Sequence, residues 1–91
     1  MRIIGYIDHP VLKITIFDTT SRMIVKFENA HFEQNYKIRK GDNLNNLEQI
    51  TQLVDEKFLE QVYANFNGMG KALVETFKRN KDKNTDLPNT A

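Results

Sequence analysis

Two histidines, His9 and His31, are the residues of this chain best suited to chemistry. Asp8 precedes His9, and Asn29, Glu28 and Glu33 surround His31. Imidazole and carboxylate groups ligate divalent metals such as zinc, and the same groups move protons. Their spacing matches no short ligand motif, and both fall in turn-like segments, where solvated polar side chains are the simpler account. His9 and His31 are therefore the candidates for a metal or acid–base site, and no cofactor is implied.

Other catalytic chemistry finds little footing. The chain has no cysteine, and its only serine, Ser21, lies in a hairpin-like segment without a G-x-S-x-G context. Gly68 and Gly70 sit inside an amphipathic pattern with no P-loop lysine and hydroxyl in register. The run Asp42-Asn43-Leu44-Asn45-Asn46 has the composition of a calcium loop but lacks the sixth-position glycine and twelfth-position glutamate. Glu48, Glu60 and Glu75 fall on polar helix faces, where charges solvate a surface. An enzyme is the third-ranked reading.

The elements that would position these residues follow from two periodicities. With 91 residues the chain is one domain long. Residues 11–17 (VLKITIF) and 22–28 (RMIVKFE) are rich in β-branched and apolar residues, and the second alternates Met23, Val25 and Phe27 against Arg22, Lys26 and Glu28. Residues 32–39 (FEQNYKIR) set Phe32, Tyr36 and Ile38 against Glu33, Asn35, Lys37 and Arg39. Residues 2–7 make a first strand in which Gly5 predicts a bulge or a close approach. Short polar joints, including Asp8-His9-Pro10, force antiparallel neighbours and an up-and-down order. In that order the joints bearing His9 and His31 share one end of the sheet, about 10 Å apart.

After Gly41 the period lengthens from two to about 3.6. Asn45 and Glu48 have capping-box spacing for a short helix over residues 46–54, and Asp55 can cap a long helix over residues 55–79. Phe58, Val62, Phe66, Met69, Leu73 and Phe77 keep one apolar phase across Gly68 and Gly70, with acidic residues at the start and basic ones at the end, as one helix dipole favours. Residues 80–91 are polar and aperiodic and predict a disordered tail. The fold class expected is α+β: a four-stranded antiparallel β-meander, then a short and a long helix packed on one sheet face.

Charge is unevenly spread. Residues 1–41 carry seven basic and four acidic side chains, residues 42–76 two and six, and residues 77–91 four and two. Lys13, Arg22, Lys26, Lys37 and Arg39 fall on the polar side of the strands with Thr15 and Phe17, an arrangement that could hold single-stranded nucleic acid by phosphate contact and stacking. One aromatic is fewer than sheet-type readers use, and Glu28 and Glu33 share the surface, so cross-strand ion pairs are the better account. A nucleic-acid module is the alternative reading.

The long helix has more apolar surface than one small sheet needs. Phe58 through Phe77, with Leu59, Tyr63 and Val74, cover about 160° of its circumference, against the roughly 100° that a helix on a sheet buries. Val11, Phe17 and Ile24 add apolar groups to the sheet's polar side. The leading expectation is a non-enzymatic protein that self-associates, most simply as a two-fold dimer. Phe58, Val62, Phe66, Met69, Leu73 and Phe77 would serve partly its own sheet and partly a partner, with surface left for another macromolecule. No segment is apolar enough to span a membrane, and no secretory leader is visible, so the expected location is the cytoplasm.

Overall fold

A computed structural model describes residues 1–81. The polar tail expected from residue 80 therefore lies, past Lys81, outside the described residues. Four strands, β1 (Arg2–Ile7), β2 (Lys13–Asp18), β3 (Arg22–Glu28) and β4 (Glu33–Arg39), pair in sequence order as one antiparallel sheet. Helices α1 (Leu47–Leu53) and α2 (Glu56–Asn80) follow. The chain is thus an α+β meander with a short and a long helix.

Alternation along the strands builds the core. Ile14 and Ile16 of β2 and Met23, Val25 and Phe27 of β3 are buried on one face, where Ile50, Val54, Val62 and Phe66 of the helical layer meet them. Leu12, just ahead of β2, joins them. The helices divide the sheet between them. Leu47 of α1 covers β1 at Gly5, where an added Cβ would lie 2.7 Å from a Leu47 methyl. That close approach is what a side-chain-free position provides. Phe58 of α2 packs on Phe27 of β3 and Tyr36 of β4, with ring centroids 5.3 and 5.0 Å apart.

Local sequence chemistry sets the ends of these elements. In the β2–β3 turn, the Thr19 hydroxyl accepts from the Arg22 amide and donates to its carbonyl. In the β3–β4 turn, Asn29 Oδ1 accepts from the amides of His31 and Phe32. The cap of α1 is Asn46, whose Oδ1 accepts from Gln49 N at 2.9 Å, while Gln49 Oε1 reaches back to the amide of Asn45. The reciprocal pattern therefore uses Asn46 and Gln49, one position after the Asn45–Glu48 pair that spacing suggested. Asp55 caps α2 by accepting from Phe58 N.

Asp18 ties the far end of the sheet together. Its carboxylate pairs with Lys40 beyond β4 and with Arg2 of β1. The Lys40 hydrogen bond holds the Asp18 carboxyl below its ordinary value, against the opposing effect of desolvation.

Candidate functional site

The two turn histidines are engaged separately. His9 Nδ1 accepts from the amides of Val11 at 3.1 Å and Leu12 at 3.0 Å. A neutral imidazole accepting at Nδ1 carries its proton on Nε2, which then donates to Tyr63 Oη of α2 at 3.2 Å. His9 thus shapes the turn that drives Leu12 into the core and ties that turn to the long helix. His31 is exposed and rests edge-on against Phe32, with centroids 6.4 Å apart. Among the described residues, no group of three or more His, Cys, Asp or Glu is placed to hold a metal ion.

The sheet face away from the helices gathers the basic strand residues. Register places Lys13 opposite Glu28, Thr15 opposite Lys26, Phe17 opposite Ile24, and Arg22 opposite Arg39. Lys37 pairs with Ile24, so all five basic candidates share this face. Lys26 is claimed by the glutamates, 3.5 Å from Glu28 and 3.4 Å from Glu33. Burial pushes the Lys26 ammonium down, but the hydrogen bond to Glu33 and both nearby carboxylates outweigh it and leave its pKa raised. Arg22, Lys37 and Arg39 have no carboxylate within ion-pair distance among the described residues. The Arg22–Arg39 pairing is a cost to the sheet, since like charges directly opposite each other repel.

The irregularity expected at Gly5 changes this face. The β1–β2 register shifts between Ile3 and Gly5. Ile3 therefore lies opposite Phe17 and Tyr6 opposite Thr15, both on the outer face. Strict alternation could not place residues 3 and 6 on one side; the bulge does. Tyr6 is 58% exposed and supplies a second aromatic beside Phe17. Beside them lies a hollow of about 330 Å³ lined by Met1, Phe17, Ile24, Lys26, Asn35 and Lys37.

The helix stripe is split by length. Gly70 of α2 lies above Phe32, the residue just before β4, where an added Cβ would be 3.7 Å from the ring. Phe58, twelve residues earlier, packs on Tyr36, so α2 runs antiparallel to β4, and between these contacts Gln34 donates to Val62 O and Asn65 to Tyr36 Oη. Val62 and Phe66 are buried in the core, and Phe58 and Met69 pack against it. Leu73 and Phe77 do not join that cluster, and Val74 is 51% exposed. From Lys71 to Asn80 the helix continues about 15 Å past the start of β4.

At the other end of α2 a groove of about 550 Å³ runs along the free edge of β4. Tyr36, Ile38, Leu53 and Phe58 form its apolar lining, with Lys37, Lys57 and Gln61 at its margins. No helix among the described residues is long and apolar enough to cross a membrane.

These surfaces belong to an α+β protein in which, among the described residues, two helices cover one face of a four-stranded meander and leave the other face and the β4 edge open. The chain matches no family model, no curated protein and no solved structure.

Proposed function

We propose that this is a small non-enzymatic protein that works as a self-associated unit, a homodimer, and presents its outer sheet face to another macromolecule. One observation carries the reading. Helix α2 outruns β4 while keeping its apolar stripe, so exposed Val74 and half-buried Leu73 and Phe77 lie outside the core cluster. Leu53 of α1, 44% exposed beside the β4 groove, is a separate exposed apolar group at the other end of α2. Apolar surface gathered on one element is the mark of an interface, whereas single exposed residues are ordinary. Sedimentation at tens of micromolar should give about twice the chain mass of 10.7 kDa. A single-chain mass at that concentration would reject the dimer.

A second reading, single-stranded nucleic acid held on the outer face, is supported by one further observation. Tyr6 joins Phe17 on the same face as Arg22, Lys37 and Arg39, which have no ion-pair partner among the described residues. Bases stack on such aromatics, and cations on the same surface meet phosphates. Fluorescence anisotropy with a labelled oligothymidylate should then show salt-sensitive binding. Arg22→Ala should weaken it and reduce the slope of log K against log salt by about 0.7. No binding at low salt removes this reading.

A further inference from the structure

The backbone phase of β4 says which of its groups are free. Lys40 N donates to Ser21 O, and Asn29 N donates to Phe32 O, each at 3.0 Å. In an antiparallel ladder the hydrogen-bonded pairs recur every second residue. Gln34, Tyr36 and Ile38 therefore turn their amides and carbonyls toward β3. Glu33, Asn35, Lys37 and Arg39 turn theirs outward, along the open edge.

This edge is long and regular. It runs seven residues, contains no proline, and keeps an unbroken register with β3. The opposite edge strand, β1, is interrupted by its bulge and covered at Gly5 by Leu47. Charged side chains commonly protect an exposed edge from pairing. On β4, however, the charges oppose in sign about the strand's midpoint: Glu33 lies at one end, Lys37 and Arg39 at the other.

We propose that β4 pairs with β4 of a second copy across a two-fold axis at Tyr36. This rests on the self-association reading above and assigns its seam. An antiparallel register centred on Tyr36 sets Glu33 opposite Arg39 of the second copy and Asn35 opposite its Lys37. Both are outward-facing pairs, so the backbone phase of β4 matches this register. The two sheets become one of eight antiparallel strands. Arg39, which has only Arg22 opposite it within its own chain, gains a carboxylate across the axis. The groove beside Tyr36, Ile38 and Leu53 closes over the seam. The same axis sets α2 antiparallel to its copy and draws each projecting Leu73–Phe77 segment toward the partner's α1–α2 junction.

Proline at an outward position tests the seam without touching the internal ladder, because the lost amide takes no part in the β3–β4 pairing. Lys37→Pro should keep the wild-type circular dichroism spectrum and sediment as a monomer. Glu33→Arg and Arg39→Glu should each raise the dimer dissociation constant at least about tenfold, because each sets like charges opposite each other. The double variant Glu33→Arg/Arg39→Glu should restore wild-type association. If Lys37→Pro fails to fold, the charge pair and its rescue decide. A dimeric wild type with a dimeric, folded Lys37→Pro overturns the β4 seam and leaves self-association standing. So does a double variant no tighter than the singles. A monomeric wild type overturns both.

Discussion

Phe66→Asp should leave the chain without a cooperative thermal transition. Phe66 is 5% exposed and lies in the core cluster with Val62 and the β2 and β3 side chains. Removing a buried phenyl ring costs about 3–5 kcal/mol through lost transfer energy and the cavity left behind. The aspartate adds an unpaired carboxylate among apolar groups, which either stays charged at high cost or takes up a proton. A domain of 91 residues holds about 5–14 kcal/mol in total. The combined loss exhausts most or all of that reserve. Phe77→Asp changes the same stripe eleven residues later, outside the core, and should keep its transition. Circular dichroism melting of the two variants compares them directly. A sharp transition in Phe66→Asp would mean that α2 does not bury this position.

That contrast marks how far the sequence could be read. The stripe from Phe58 to Phe77 is legible because spacing alone fixes the face of a helix. The point at which the stripe leaves the core is not. It depends on the level at which α2 crosses β4, set by tertiary contacts such as Gly70 over Phe32 and Gln34 on Val62 O. The strands β2, β3 and β4 show a clean apolar side for the same reason of period. In β1, Gly5 hinted at an irregularity, but only pairing with β2 shows that the shift brings Ile3 and Tyr6 to one face. The second aromatic of the outer face was hidden for that reason. His9 has the chemistry of a metal ligand. Its place in the fold, accepting two amides and meeting Tyr63, involves a residue 54 positions away that no local spacing could supply. Among the asparagines at 43, 45 and 46, backbone geometry rather than composition chose Asn46 as the cap of α1.

Phe27→Ala should lower stability by about 3–5 kcal/mol, with the chain still folded in the absence of denaturant. Phe27 is fully buried and is one of three mutually touching rings from three elements. Its ring meets Phe58 of α2 at 5.3 Å and 77°, and Tyr36 of β4 at 5.7 Å and 83°. Tyr36 and Phe58 meet each other at 5.0 Å and 81°. Each is an edge-to-face arrangement, worth about 0.5–1.5 kcal/mol beyond the area it buries. The trio also anchors a polar chain, because Tyr36 Oη donates to Gln34, whose amide donates to the Val62 carbonyl. Truncating Phe27 leaves a void that rigid strands on one side and a capped helix on the other fill poorly, so the cost belongs at the upper part of the range. Phe27→Leu keeps most of the volume and loses the ring contacts, and should cost about half as much. Urea unfolding of the three proteins measures both differences, with an unchanged m-value indicating that only the folded state has altered. A loss below about 1 kcal/mol for alanine would show that α2 is held to the sheet by something other than these rings.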